Sequence, residues 1–247
     1  MDDSPFVSVI PPPPESGLGL ASWAREIMEA ARATLATPHY PDDLPRGQGE
    51  TVLLIPGFLA GDWTMHPLRD FLRHLKYRVE FAGVALNLGP TKGLLPHLEQ
   101  AVERLYAEVC APMVVIGQSL GGAFARVLAQ RHPEKIGHVV TLASPIRFPV
   151  ATPLESIAKL LAPLHGPDVL ALGEEIGCVP QVPVTALYSK ADGIVDWRCC
   201  LQDESATCVN VQVSSAHSAM GFHPEAQAVI ARALAEVREK RPGGNGC

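Results

Sequence analysis

The chain has 247 residues, 47% of them hydrophobic, and a formal net charge of −6 at pH 7. This length and composition suit one sizeable domain with a full core and leave little room for a second. The acidic balance, without a basic stripe, argues against nucleic acid as a partner. No window approaches the run of about 18 apolar residues that a membrane-spanning helix needs.

The first 17 residues contain the run Pro11–Pro14 and no periodic apolar pattern, which predicts an extended or disordered arm. The acidic start and the short apolar stretch are not those of a secretory signal, so we expect a cytoplasmic protein. Residues 18–50 are predicted to form a helix over about 18–36, capped by Ser16, and a linker. This helix would pack on the body or over a groove. Membrane or lipid-surface contact through it is the alternative, which the lack of a lysine cluster disfavours.

Strands and helices alternate along most of the remaining chain. The predicted strands are Thr51–Ile55, Val79–Ala82, the apolar run that begins near Met113, Ile136–Leu142, Val184–Tyr188 and Thr207–Val213. The predicted helices are Thr64–Lys76, Leu94–Val109, the segment that follows Ser119 as far as Arg131, and Pro224–Glu239. This pattern predicts an α/β fold with a mostly parallel sheet of about six strands, covered by helices on both faces.

One long interval breaks the alternation, between the strand that ends at Leu142 and the strand that begins at Val184. It contains two short helical stretches, at about 153–161 and 168–175, and an unstructured loop of that length would be unusual. We therefore expect a small helical cap at about 148–180. The domain would span 51–240, followed by a tail at 241–247.

The most informative segment is Gly117-Gln118-Ser119-Leu120-Gly121, which follows a buried strand and opens a helix. A serine between glycines is typical of a strained strand-to-helix turn that lifts the hydroxyl clear of the sheet. The helix behind it directs unpaired backbone N–H groups at charge that develops beside the serine. Ser119 is therefore the candidate nucleophile. An ordinary glycine-serine turn is the alternative.

A serine nucleophile needs a histidine base and a carboxylate that orients the base. Asp192 lies in the loop just past a predicted strand and is our candidate acid. Asp196 is the competitor, although its position suits the N-cap of a helical stretch. His217 follows the last strand and is our candidate base, while His223 occupies a capping position before the final helix. We assign the other seven histidines no role.

Attack on a carbonyl also needs donors for the oxyanion, usually two backbone N–H groups. The N–H of Leu120 is one candidate, since it directly follows the nucleophile. The loop after the first strand, 56–62, offers the N–H of Phe58, because Gly57 allows a close approach of the backbone. A plain turn is the alternative for this loop.

The candidate pocket residues are apolar, which favours an acyl chain over a sugar or a charged group. Core packing is the alternative for about half of them. Besides the two oxyanion residues, they are Leu59, Phe148, Leu154, Ile157, Leu160, Ile194, Val195 and Met220.

The order Ser119, Asp192, His217 is the one expected of an α/β-hydrolase. Together with the Pro56-Gly57-Phe58 loop, these motifs make the chain resemble the α/β-hydrolase superfamily, and within it the small bacterial esterases and lipases, over about 51–239. The resemblance implies hydrolysis of carboxylic esters through an acyl-enzyme, without a cofactor or metal. With the apolar pocket candidates, short- to medium-chain acyl esters are then the first choice of substrate, and longer acylglycerols the second.

Two positions depart from the pattern of these relatives. Gln118 stands where many lipases carry His, and Pro56 stands where His-Gly is common. The region before residue 51 also lacks the two antiparallel strands of larger members. The first departure alters the pocket beside the nucleophile, and the second affects the oxyanion loop.

The same three residues would serve other reactions, so a thioesterase, a polyester depolymerase or an acyltransferase are alternatives. A non-catalytic binding protein on the same fold is a remote alternative. The expected partner is a small-molecule ester, and the oligomeric state is left open.

The six cysteines lack the spacing of zinc or redox sites, so we expect them to be reduced in a cytoplasmic protein. A local bridge is the alternative, and its candidate members are Cys178, Cys199, Cys200 and Cys208.

Overall fold

The computed structural model describes residues 25, 26, 28, 29, 40–147, 150, 152–167 and 169–240. The predicted arm at 1–17, most of the predicted helix at 18–36, the pocket candidate Phe148 and the tail at 241–247 lie outside the described residues. The four described residues before position 30 are helical and are called the N-terminal segment here.

Six strands form one sheet with the order β2-β1-β3-β4-β5-β6. All five pairings between neighbouring strands are parallel. The strands are β1 (Thr51–Ile55), β2 (Arg78–Phe81), β3 (Met113–Gln118), β4 (Ile136–Leu142), β5 (Val184–Tyr188) and β6 (Cys208–Gln212). Their apolar runs are buried because helices cover both faces. The predicted parallel sheet is confirmed.

The helices that connect the strands also follow the sequence closely. They are α1 (His66–His74), α2 (Leu94–Val109), α3 (Leu120–Arg131), α4 (Glu155–Leu161), α5 (Val169–Gly177) and α6 (Pro224–Lys240). Short 3₁₀ helices occupy Asp62–Met65, Ala162–Leu164 and Trp197–Cys200. The predicted helix at 64–76 is therefore divided into a 3₁₀ turn and α1. The chain leaves α1 at Leu75, since Lys76 has a positive φ of 69°.

Alternate residues of each strand point to opposite faces of the sheet, so a separate apolar core layer covers each face. Leu54 and Ile116 face α1 and α6, where they pack with Phe71. Leu53 and Val115 face α2 and α3 in the opposite layer. The two layers hold the sheet rigid, and the loops at its carboxyl edge are built on that support.

The interval between β4 and β5 contains α4, the 3₁₀ helix at 162–164 and α5, which together we call the cap. The cap is weakly buried, because α4 has no buried residue and α5 has only Ile176. A single antiparallel bridge joins Thr91 to His165 and connects the cap to the loop after β2.

No helix in the described part of the chain is long and apolar enough to cross a membrane. Cys178, Cys200 and Cys208 are free thiols. The alternative of a local bridge among the four neighbouring cysteines is therefore not realised.

Candidate active site

The candidate catalytic residues Ser119, Asp192 and His217 lie in loops at the carboxyl edge of the sheet. The sheet order reverses between β1 and β3, because the chain runs from β1 to β2 on one side and then to β3 on the other. Loops at such a point diverge and leave a crevice, which is where open α/β sheets bind ligands. Phe58 follows β1 and Ser119 follows β3, so both lie beside this crevice.

Ser119 occupies the tight turn that the sequence predicts. Its backbone has φ 51° and ψ −126°, a conformation that residues other than glycine rarely adopt. Its N–H donates to the carbonyl of Leu142 at 2.8 Å, which ties the turn to the end of β4. The side chain is thereby held above the sheet, at the N-terminus of α3.

The glycines of this motif are required because the backbone of neighbouring elements passes very close to them. A Cβ atom on Gly117 would lie 2.3 Å from the carbonyl group of Gly121. A Cβ on Gly121 would lie 2.3 Å from the carbonyl oxygen of Ile55 in β1. Neither contact is sterically possible, so these glycines allow α3 to begin directly against β1 and β3.

Asp192 lies in the turn after β5 and is almost completely buried. One oxygen, Oδ1, accepts hydrogen bonds from the N–H groups of Ile194 and Val195, both at 2.8 Å. The other oxygen, Oδ2, is 2.7 Å from Nδ1 of His217. The two backbone donors fix the carboxylate so that its second oxygen faces the imidazole.

His217 lies beside the turn that carries the nucleophile. We call the loop after β6 that carries His217, residues 213–223, the histidine loop. The side-chain amide of Gln118 donates to the carbonyl of His217 at 3.0 Å, so the residue before Ser119 holds this loop in place. Among the described contacts, the hydroxyl of Ser119 makes no hydrogen bond to the imidazole. In enzymes without bound substrate, such bonds are often long and shorten only when substrate binds.

The electrostatic surroundings of His217 act in opposite directions. Burial lowers the pKa of the imidazole, whereas the charge of Asp192, its hydrogen bond and the charge of Glu26 raise it. The net result is a pKa above the ordinary value of 6.5. The site therefore stabilises the imidazolium that forms when a histidine accepts a proton.

The two competing residues have structural roles. Asp196 caps the 3₁₀ helix after β5, since its carboxylate accepts a hydrogen bond from the N–H of Arg198 at 2.9 Å. His223 directly precedes α6, and its carbonyl accepts from Gln227 at 2.9 Å. Among these four candidates, only Asp192 and His217 are hydrogen-bonded to each other.

The oxyanion candidates Phe58 and Leu120 both line the cavity at Ser119. Among the described residues, neither backbone N–H has a protein acceptor. The loop that carries Phe58 is fixed by the buried Asn87, whose amide donates to the carbonyl of Pro56 at 3.0 Å. The Asn87 backbone also accepts from Leu59 at 2.7 Å, and Leu59 is held at a positive φ of 58°.

An apolar cavity of about 650 Å³ lies between Ser119 and the cap. Its floor includes Phe124 and Pro145, and its roof is formed by α4 and α5. This volume is within the range of small-molecule sites, about 300–1,000 Å³. His165, one of the seven histidines without a predicted role, also lines the cavity, and its imidazole is 3.2 Å from the carbonyl of Leu88.

The structure divides the predicted pocket residues into two groups. Those on the cavity wall are Leu154, Ile194 and Val195. Those away from it are Leu59, Ile157, Leu160 and Met220.

The second group differs from expectation for identifiable reasons. Met220 is fully buried in the core layer beside α1 and α6, so it packs with the body. Leu160 lies on the outer face of the cap and is 77% exposed, and Ile157 is exposed on the same helix. Leu59 uses its backbone to shape the oxyanion loop. Apolar character alone did not distinguish a wall from a core or an outer face.

Two polar residues escaped the sequence analysis, Glu26 and Asn87. Asn87 follows β2 in a loop without a recognisable motif, and Glu26 lies in an amphipathic helical pattern, where a glutamate usually faces solvent. Both are buried here. A buried polar residue is informative, but its burial is visible only in the tertiary structure. No group of three or more potential metal ligands occurs in the part of the chain that the structure describes.

Comparison with known proteins supports the fold. A family model for the alpha/beta hydrolase fold matches residues 111–168, the segment that contains the candidate nucleophile. A search of curated sequences finds no match.

Solved structures match most of the chain. One is a metagenome-derived lipolytic enzyme from the pair LipS and LipT, with 17% identity and a TM-score of 0.57, over 79% of this chain and 96% of that one. A putative non-heme bromoperoxidase from Mycobacterium tuberculosis has 18% identity and a TM-score of 0.55, over 82% and 99%. A pyrethroid hydrolase from Sphingobium faniae has 17% identity and a TM-score of 0.53, over 78% and 98%. The chain therefore has the α/β-hydrolase fold, and the resemblance drawn from the sequence is confirmed for the fold.

Proposed function

We propose that the chain is a serine hydrolase of carboxylic esters. The observation that carries the proposal is the 2.7 Å pair of Asp192 and His217, which Gln118 holds beside the strained Ser119 turn. A nucleophile, a base and an orienting acid at one edge of a parallel sheet are what acyl transfer by a serine requires. Fold neighbours described as lipolytic enzymes and a pyrethroid hydrolase support the same reaction class.

In the proposed reaction, the Ser119 hydroxyl attacks the ester carbonyl while His217 Nε2 takes its proton. The hydroxyl and the imidazole would have to come within hydrogen-bond distance when substrate binds. The N–H groups of Phe58 and Leu120 hold the oxyanion, and each such donor is typically worth about 2.7–4 kcal/mol of barrier. The imidazolium returns the proton to the departing alcohol. Water then attacks the acyl-enzyme by the same route and releases the acid.

The cavity indicates the substrate class. Its walls are mainly aliphatic and aromatic. In addition to Ser119, the polar side chains on them are those of Thr152, His165 and Glu174. Such a lining favours an extended apolar acyl or alcohol group over a sugar or a charged group. Short- to medium-chain acyl esters are therefore the proposed substrates.

A series of p-nitrophenyl esters of increasing acyl length tests the proposal. The wild-type chain should release p-nitrophenol, and Ser119→Ala should reduce turnover to the background rate while circular dichroism shows an unchanged fold. Ser214→Ala is the matched control, since this serine is exposed on the histidine loop. It should retain full activity.

A fluorophosphonate probe supplies an independent measurement. It should label the wild-type chain and Ser214→Ala, but not Ser119→Ala, because the probe reacts with an activated serine. A folded Ser119→Ala protein that still cleaves esters would refute the assignment. An unlabelled wild-type chain would favour a non-catalytic binding protein.

A further inference from the structure

The N-terminal segment places one buried carboxylate against the histidine loop and against the loop after β5 that carries Asp192, which we call the acid loop. Glu26 is 2% exposed, although it lies in a helical stretch that precedes the sheet in sequence. Its neighbour Arg25 donates to the carbonyl of Ala191 at 2.5 Å. The segment therefore contacts the acid loop at two successive positions.

The Glu26 carboxylate accepts hydrogen bonds from three backbone N–H groups. Oε1 accepts from Gly193 at 2.8 Å and from His217 at 2.9 Å, and Oε2 accepts from Ser218 at 2.9 Å. Gly193 directly follows Asp192, so one oxygen bridges the acid loop and the histidine loop. Converging N–H groups of this kind form an anion-binding concavity.

This arrangement complements the bonds that Asp192 makes within its own loop. Asp192 accepts hydrogen bonds from the N–H groups of Ile194 and Val195. Glu26 accepts one from the N–H of Gly193, which lies between Asp192 and Ile194 in the chain. Without Glu26, the buried N–H groups of Gly193 and His217 and the part-buried N–H of Ser218 would lose their acceptor, which is unfavourable because an unpaired donor inside a protein has lost its water without gaining a partner. The orientation of the Asp192–His217 pair therefore depends on a residue far away in sequence.

We propose that Glu26 is a positioning residue of the active site, which locks the Asp192 loop to the His217 loop and stabilises the imidazolium with a second negative charge. The inference rests on the proposed function for its kinetic consequence. Within the described part of the chain, the charged groups that act on His217 are Asp192 and Glu26, and both raise the pKa of its imidazole. Removal of either negative charge should therefore lower that pKa.

The substitution Glu26→Gln tests this role, because glutamine keeps the shape but removes the charge and places an amide group against a backbone donor. Since Glu26 is not on the cavity wall, kcat for a p-nitrophenyl ester should fall roughly tenfold to a hundredfold with little change in KM. The acid limb of the pH profile should move to lower pH. The control is Glu29→Gln, which removes one charge from the same segment and should leave kcat and the profile unchanged.

A measurement without turnover separates this proposal from the proposed function. The pKa of His217 can be followed by NMR in the Ser119→Ala background, with and without Glu26→Gln. A lower pKa in the double variant supports the positioning role, even if the wild-type chain hydrolyses no ester and the proposed function fails. Active wild-type protein with an unchanged pKa and an unchanged kcat in Glu26→Gln would overturn the role of Glu26 alone.

A purely structural role has a different signature. In that case Glu26→Gln would lower the melting temperature, while the folded fraction would keep the wild-type kcat and pH profile, which also overturns the proposal. If the glutamine variant does not fold, Glu26→Asp replaces it, because aspartate keeps the charge on a shorter side chain. A reduced kcat with an unshifted His217 pKa would support positioning, and an unchanged kcat would overturn it.

Discussion

At the scale of single residues, the candidate site depends on which of two nearby aspartates faces the imidazole. Asp192 and Asp196 both follow β5, and both accept backbone hydrogen bonds from their own turn. Only Asp192 has its second oxygen directed at His217, at 2.7 Å. Asp196 uses its second oxygen for the guanidinium of Arg198 at 3.1 Å. Four positions along one loop thus separate an orienting acid from a helix cap.

Substitution of each aspartate by asparagine should separate these roles. Asp192→Asn removes the charge and the acceptor that fix the imidazole tautomer, so ester hydrolysis should fall roughly ten-thousand-fold. Asp196→Asn should stay near the wild-type rate, because asparagine caps as well as aspartate. Steady-state kinetics of the two purified variants measures the difference. Equal losses of activity in both variants would contradict the role of Asp192 as the acid that orients His217.

The pH dependence of activity follows from the state of His217. Burial lowers its pKa, but the Asp192 charge and hydrogen bond and the Glu26 charge bring it above 6.5. Only the neutral imidazole accepts the Ser119 proton, so kcat/KM should rise with pH through an apparent pKa above that value. A pH profile of p-nitrophenyl ester hydrolysis measures this limb. A limb below pH 6 would contradict the arrangement of charges described here.

At the scale of elements, one buried arginine of α3 helps to attach the cap to the body. Arg126 of α3 is 1% exposed and donates to the carbonyls of Ile176 and Cys178 at the end of α5. It also donates to the side chain of Gln202 at 2.8 Å. Burial lowers the pKa of this guanidinium, and its described hydrogen-bond acceptors are all neutral. One side chain therefore connects α3, the cap and the loop before β6.

Arg126→Met should destabilise the protein by about 2–5 kcal/mol, because it leaves several buried acceptors without a donor. The matched control is Arg104→Met, whose arginine lies 3.6 Å from Glu108 in an exposed pair on α2. Loss of such a pair costs only about 0.3–0.5 kcal/mol. Urea denaturation of both variants gives the comparison, and similar midpoints would contradict the role assigned to Arg126.

At the scale of the whole molecule, the features that can be predicted from the sequence are those that depend on residues close together in the chain. The boundaries of β1, α2, β4 and β5 agree with the sequence prediction, since apolar runs and breakers set them locally. The glycine-bracketed turn at Ser119 was predictable for the same reason. The contacts of Glu26 with the histidine loop span more than 190 positions, and no local pattern encodes them. Leu160 and Met220 show the same limit, because tertiary packing decides which apolar residue faces a cavity.

The whole-molecule arrangement of cap, cavity and sheet predicts how substrate length is limited. Ala158 of α4 lines the cavity, whereas its neighbour Lys159 points away and its side chain is 75% exposed. Ala158→Trp would place an indole in the space above Ser119 and reduce the room for an acyl chain.

The variant should therefore lose hydrolysis of long p-nitrophenyl esters by roughly tenfold or more, the scale on which changes in apolar pocket contacts act, and keep hydrolysis of the acetate. Lys159→Trp is the control on the same helix, and its chain-length profile should match the wild type, since the added ring lies outside the cavity. Kinetics across the ester series measures both profiles. A chain-length profile of Ala158→Trp with the same shape as that of the wild type would show that the space under the cap does not select the length of the acyl chain.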